Sequence, residues 1–131
     1  MLKQYANGFH HYGLPTADME ATIDFYNKKL GMDIVFSTTV EESGKPCRVV
    51  HFRLGSMLVE TYERSAVPNA VGAIDHIAFA TADIKGAFDE ARRLGLRFAK
   101  EEIGVSDYWP GTAQWFHLVG PSGELVEFAQ S

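Results

Sequence analysis

Two imidazoles and two carboxylates fall at matching places in the two halves of this 131-residue chain. His11 precedes Thr16-Ala17-Asp18 as His76 precedes Thr81-Ala82-Asp83, and Leu58-Val59-Glu60 returns as Leu125-Val126-Glu127. The histidines lie 65 positions apart (76 − 11) and the glutamates 67 (127 − 60). Such agreement marks an internal duplication. Its duplicated polar residues, His11, Glu60, His76 and Glu127, make a nitrogen–oxygen donor set for one divalent transition metal, with Ni, Zn, Co, Mn and Fe(II) all compatible. On a six-coordinate ion, four protein donors leave two positions for water or substrate oxygens. The ion would act as a Lewis acid, polarising a carbonyl or holding an ene-diolate. A weakly held Glu could leave it and serve as general base, which makes Glu60 and Glu127 the catalytic candidates. A lone His in a strand is ordinarily structural; the matched set carries the reading.

The elements that must position these residues follow from pattern. Phe9 to Leu14 reads as a strand, and Pro15 ends its pairing. Asp18 caps a helix from about Met19 to Leu30, with Met19, Ile23, Tyr26 and Leu30 on one apolar stripe and Gly31 just past its end. Asp33 to Val40 is a second strand, followed by a turn over Glu41 to Pro46. Arg48 to Leu54 and Met57 to Tyr62 form a hairpin around Gly55-Ser56, which sets His51 opposite Glu60. A linker-like stretch, Ser65 to Gly72, precedes a second unit. There a strand at Ala73 to Ala80 leads to a helix capped by Asp83 and ended by Gly95. Strands follow at about Arg97 to Lys100, Ala113 to Val119 and Glu124 to Phe128, with Gly104 to Thr112 as a loop.

Alternation along the strands assigns faces. Glu60, His51, Arg53 and Tyr62 share the inward face of the first sheet, and Glu127, Trp115 and His117 that of the second. Val50, Phe52, Phe116 and Leu118 face the helices. His51, Arg53, Tyr62, Trp109, Trp115 and His117 are therefore candidates to line a substrate pocket. Arg53 serves either as an anion clamp or as a cross-strand partner for a carboxylate. Trp109 and Tyr108 either cover a ligand or pack their loop down. The expected architecture is α+β: two tandem βαβββ modules, about 8–64 and 73–130, within a single domain spanning 1–131. Their curved sheets surround a metal-binding hollow, with the helices outside.

A net charge of −5 without a basic stripe argues against nucleic acid as a partner. Cys47 is the single cysteine, which excludes an intrachain disulfide and points to a reducing compartment. No apolar run approaches the ~20 residues of a membrane span, and the N-terminal residues carry no apolar signal-like core. A cytoplasmic protein acting on a small molecule is the expectation.

The chain resembles the vicinal oxygen chelate superfamily, which includes glyoxalase I, methylmalonyl-CoA epimerase, extradiol dioxygenases and fosfomycin and bleomycin resistance proteins. The resemblance rests on His11 with Asp18, on Asp24-Phe25-Tyr26 before Leu30-Gly31-Met32, and on Leu58-Val59-Glu60. It continues through Asp75-His76-Ile77-Ala78-Phe79 and Gly120-Pro121-Ser122-Gly123-Glu124-Leu125-Val126-Glu127. The His, Glu, His, Glu order is similar to that of small bacterial glyoxalase I (lactoylglutathione lyase). This implies a lyase or isomerase that moves a proton through a metal-held ene-diolate, with Glu127 or Glu60 as proton carrier, and a homodimer. Two positions depart: Pro15 and Arg64 stand where the glutathione-binding Arg and Asn of that enzyme would fall. The resemblance therefore implies the metal set without the glutathione pocket. Another isomerase or epimerase of the superfamily, or a metal-free binding or resistance module stacking a flat ligand on Trp109, Trp115 and Tyr108, are the alternatives.

Overall fold

The computed structural model describes residues 1–106 and 112–131. The chain divides into two compact units, Met1–Val67 and Pro68–Ser131. After a short 3-10 turn at Leu2–Tyr5, unit 1 runs β1 (Tyr12–Thr16), α1 (Met19–Ile23), β2 (Asp33–Glu42), β3 (Lys45–Leu54) and β4 (Met57–Glu63). Unit 2 runs β5 (His76–Ala80), α2 (Ile84–Arg93), β6 (Gly104–Ser106), β7 (Ala113–Val119) and β8 (Leu125–Gln130). Each unit carries one mixed four-stranded sheet, in the orders β1-β4-β3-β2 and β5-β8-β7-β6. The architecture is α+β, built from two tandem modules of one topology. Among the described residues no helix is long and apolar enough to cross a membrane.

The repeated Thr-Ala-Asp motif folds alike in both units. Asp18 Oδ1 accepts from the Ala21 N–H at 2.9 Å and Asp83 Oδ1 from the Gly86 N–H at 2.9 Å, so each carboxylate satisfies a free amide of the first helical turn. Thr16 and Thr81 hydroxyls accept from the amides of these same aspartates at 3.1 Å. Gly31 (φ 75°) and Gly95 (φ 67°) take the left-handed conformation beyond the helices.

Each helix packs on the two-sided strands beneath it. Val50, Phe52 and Val59 are fully buried in unit 1, as are Phe116, Leu118 and Val126 in unit 2, where α2 lies on β7 and β8. These are the alternate positions expected to face the helices. The other face carries His51, Arg53 and Glu60 in unit 1 and His117 and Glu127 in unit 2, among apolar residues such as Leu58 and Trp115, so the sheet alternation separates these polar groups from the core.

Three local expectations are corrected. The first strand begins at Tyr12, after His11, and its parallel pairing continues through Pro15 to Thr16, opposite Tyr62 and Glu63. The first helix is α-helical only to Ile23, then widens into a π-helical turn over Asp24–Lys29, in which the Leu30 N–H reaches the Phe25 carbonyl at 2.9 Å. That wider turn leaves the adjacent rings of Phe25 and Tyr26 both buried, while Ile23 and Leu30 are only half-buried. The strand expected at Arg97 to Lys100 shrinks to one bridge, Phe98 opposite Leu118, and the paired strand is β6, within the expected loop. Both pieces line the same edge of β7, joined by a turn in which the Glu102 N–H reaches the Lys100 carbonyl at 2.9 Å. Gly104 makes the pairing possible: the Trp115 indole lies over it, 2.7 Å from where a Cβ would stand.

Candidate metal centre

The second hairpin places Glu127 on β8 directly opposite His117 on β7, and Ala78 on β5 beside Glu127. His76, two residues before Ala78, therefore shares the face and comes within reach. Its Nε2 lies 3.5 Å from Glu127 Oε2, and His117 Nε2 lies 2.7 Å from the same oxygen. One donor atom from each of the three residues falls within 4.8 Å of the others, the one such group among the described residues. Glu127 and His117 are half-buried and His76 stands at the rim. The two imidazoles meet edge to face, with centroids 5.2 Å apart, and the Trp115 ring lies 5.0 Å from that of His117.

The short His117–Glu127 contact is not a hydrogen bond. The buried Nε2 makes no hydrogen bond among the described residues, and its contact with Glu127 is one of charge. Both atoms are donors that a divalent ion accepts. His76 is oriented from behind: its Nδ1 sits 2.9 Å from Asp75 Oδ2. A carboxylate on Nδ1 fixes the proton there and leaves Nε2 as the lone-pair donor, the arrangement found behind metal-ligating histidines. His76, His117 and Glu127 can thus hold a divalent ion. Sequence reasoning left Asp75 without a role, although a carboxylate adjacent to a candidate ligand was a readable signal.

Unit 1 repeats the register but not the cluster. Glu60 sits opposite His51 and beside Gly13, as Glu127 sits opposite His117 and beside Ala78. His51 Nε2 approaches Glu60 Oε2 at 3.4 Å. His11 holds the position equivalent to His76, two residues before Gly13, yet its Nδ1 contacts the Nδ1 of His10 at 2.7 Å and it makes no ion pair with Glu60. Arg53 is exposed and, among the described residues, pairs with no carboxylate, so the cross-strand partnership does not form. Tyr62 lies 3.6 Å from where a Cβ on Gly13 would stand and carries the Arg64 guanidinium on its ring at 4.4 Å. Trp109 and Tyr108 lie outside the described residues. A cleft of about 700 Å³ in unit 1, lined by Glu42, Lys45, Cys47, Glu63 and Arg64 among others, includes none of the duplicated His or Glu residues.

Residues 8–128 match the sequence profile of the Glyoxalase/Bleomycin resistance protein/Dioxygenase superfamily. The chain belongs to that superfamily. A curated relative, the uncharacterized protein YwbC of Bacillus subtilis (strain 168), is 31% identical over 129 residues, covering 95% of this chain and 98% of its own. The glyoxalase family protein of Enterococcus faecalis has a similar crystal structure, with a TM-score of 0.78, 20% identity, and coverage of 95% and 98% of the two chains. The fosfomycin resistance protein FosX of Listeria monocytogenes, solved with Mn(II) and sulfate, follows with a TM-score of 0.73 and 14% identity over 96% of this chain and 93% of its own. At these identities the structural likeness is one of fold. Membership of the superfamily agrees with the paired modules and with a His/Glu cluster on the face away from the helices.

Proposed function

We propose that this superfamily member is a metal-dependent lyase or isomerase of the glyoxalase type, which transfers a proton between neighbouring carbons of a small hydroxy-carbonyl substrate. The observation that carries this reading is the convergence of His76, His117 and Glu127 on one point, with a second carboxylate, Glu60, at the repeated position on β4. The ligand set proposed from the duplication is His11, Glu60, His76 and Glu127. A divalent ion held by such donors supplies Lewis-acid polarisation of a substrate oxygen, which acidifies the adjacent C–H. Glu60 and Glu127 are the proposed proton carriers. Glu60 is the freer of the two: its side chain is 36% exposed and, among the described residues, ion-pairs with His51 alone, whereas that of Glu127 is 15% exposed and faces two imidazoles. Its carboxylate would accept the proton from one carbon and return it to the next.

Arg64 supports a substrate other than the glutathione adduct. Its guanidinium is engaged by Glu42 at 2.6 Å, by Cys47 Sγ at 3.4 Å and by the Tyr62 ring, which leaves little of it for a ligand. A homodimer is part of the proposal, supported by exposed Ile34, Val35, Phe36 and Val40 on the edge strand β2. The test is incorporation of solvent deuterium, followed by NMR, into a panel of hydroxy-carbonyls by Ni-, Co-, Zn- or Mn-loaded protein. The methylglyoxal–glutathione adduct belongs in the panel; fosfomycin, an epoxide without a carbonyl, is assayed beside it for metal-dependent loss of the epoxide, because of the likeness to FosX. Metal-dependent turnover lost by at least ~100-fold in Glu60→Gln or Glu127→Gln is expected for a general base. Ligand binding that needs no metal, with no exchange or turnover on any member, would replace this reading with that of a binding module.

A further inference from the structure

We propose that Arg53 binds an anionic group of the substrate, which is therefore a small hydroxy-carbonyl bearing a phosphate or a carboxylate. This deepens the proton-transfer reading above and rests on Glu60 as proton carrier. Unit 1 holds three arginines, and the fold itself engages two of them. Arg48 is held by Glu20 at 2.6 Å, and Arg64 by Glu42 at 2.6 Å and by the Tyr62 ring. Arg53 is exposed and, among the described residues, makes no ion pair or hydrogen bond, although Asp33 stands directly opposite it on β2.

Strand pairing decides what an anion held there would sit beside. His51 and Arg53 lie on the face of β3 opposite the buried Val50 and Phe52, and Glu60 lies on that same face of β4. His51 pairs with Glu60 and Arg53 with Leu58, so Arg53 and Glu60 are diagonal neighbours, roughly 7–8 Å apart at the backbone. The long, unengaged side chain of Arg53 spans that interval. A substrate of a few carbons thus presents a C–H to Glu60 while its anionic end meets the guanidinium. The planar fork offers paired N–H donors to two oxygens of one phosphate or carboxylate. Leu58 and the Phe36 ring, 5.0 Å from that of His51, supply apolar flanks. Charge favours an anion over a neutral ligand. A neutral group seated on Arg53 would strip water from the guanidinium and give nothing back, whereas an anion replaces that water. On a chain of net charge −5, Arg53 also offsets the repulsion that Glu60 exerts on an anionic substrate.

The test uses two matched pairs of probes: dihydroxyacetone phosphate with dihydroxyacetone, and hydroxypyruvate with hydroxyacetone. Each pair keeps the hydroxy-carbonyl and removes the anion, and comparison of the pairs separates phosphate from carboxylate. Binding to the full chain, both metal-stripped and Zn(II)-loaded, is followed by NMR of the arginine Nε–Hε groups in wild type, Arg53→Lys and Arg53→Gln. Expected is a shift of the Arg53 signal by an anionic probe, with affinity for that probe about 10–100-fold lower in Arg53→Gln. Arg53→Lys should fall between, since it keeps the charge and loses the fork. The neutral partner should bind all three proteins alike. Wild type that binds neither anionic probe, or Arg53→Gln that binds both as wild type does, would overturn the proposal. In the solvent-deuterium assay the Arg53→Gln loss should appear in KM, with kcat little changed. Exchange of an anionic probe that is indifferent to Arg53→Gln refutes the anion site and leaves the proton-transfer reading intact. Anion binding through Arg53 without metal-dependent exchange on any probe refutes that reading instead, so the two failures are distinct.

Discussion

Glu124 stands between the turn at Gly120–Gly123 and β8, and replacing it by Gln should stabilise the protein in a pH-dependent way. The side chain folds back on its own turn. Its carboxylate accepts the Ser122 N–H at 3.2 and 3.3 Å, and it fills the space that a Cβ on Gly120 would occupy. Burial raises its pKa from 4.5 to about 7, and hydrogen bonds from the Ser122 and Glu124 amides only partly oppose the rise. The folded state therefore holds this proton more tightly than the unfolded chain. Below pH 4.5 both states are protonated and the contribution is full. Between pH 4.5 and about 7 the unfolded chain ionises first and stability falls; above about 7 the loss is constant. The full shift corresponds to roughly 3 kcal/mol at about 1.4 kcal/mol per pKa unit. Solvent screening of this half-buried group reduces the expected effect to about 1–2 kcal/mol. Gln keeps an oxygen for the Ser122 amide and carries no charge. Urea midpoints of metal-stripped protein at pH 4.5, 6 and 8 should therefore give near-equal stabilities at the lowest pH. At the highest the variant should lead by about 1–2 kcal/mol, or ~3–8 °C in Tm for a chain of this size. A difference that stays constant with pH, or a variant less stable above pH 7, would refute the reasoning.

Asp75→Asn removes the carboxylate behind His76 and should weaken Co(II) or Zn(II) binding about 10–100-fold in chelator competition, with little change in fold. Gly104→Ala would push a methyl against Trp115 and should cost about 1–3 kcal/mol in urea unfolding, with a shift in Trp fluorescence. Asp83→Ala deprives the Gly86 amide of its acceptor and should cost about 1 kcal/mol, read from the same titration.

How much of this was legible in the sequence depends on how locally each feature is fixed. The Gly55-Ser56 turn allows one pairing of its strands, so His51 opposite Glu60 followed from counting residues, and His117 on the same face as Glu127 from alternation. The caps were readable because Asp18 and Asp83 each stand just before a helical pattern. What the residues could not reveal depended on packing. Phe25 and Tyr26 compete for the same core, and the backbone yields by widening its turn. The edge of β7 is shared by Phe98 and Gly104 because Trp115 needs a residue without a side chain beneath it. His117 stood only as a pocket-lining candidate for a similar reason. A histidine on a strand looks structural until its neighbours on two other strands are placed beside it.

The strand order has a kinetic consequence. In each unit the strand that comes last in sequence, β4 or β8, is inserted between strands made earlier, parallel to the first and antiparallel to the third. Neither sheet can zip up in the order of the chain. The first strand must wait, unpaired, for a partner some 45 residues away, and closing such a loop before any contact rewards it slows folding to the millisecond-to-second range typical of non-local β pairing. Glu60 and Glu127 ride on these late strands. Each carboxylate therefore reaches its histidine in the same step that completes its sheet, and a half-assembled module offers an ion only scattered single donors.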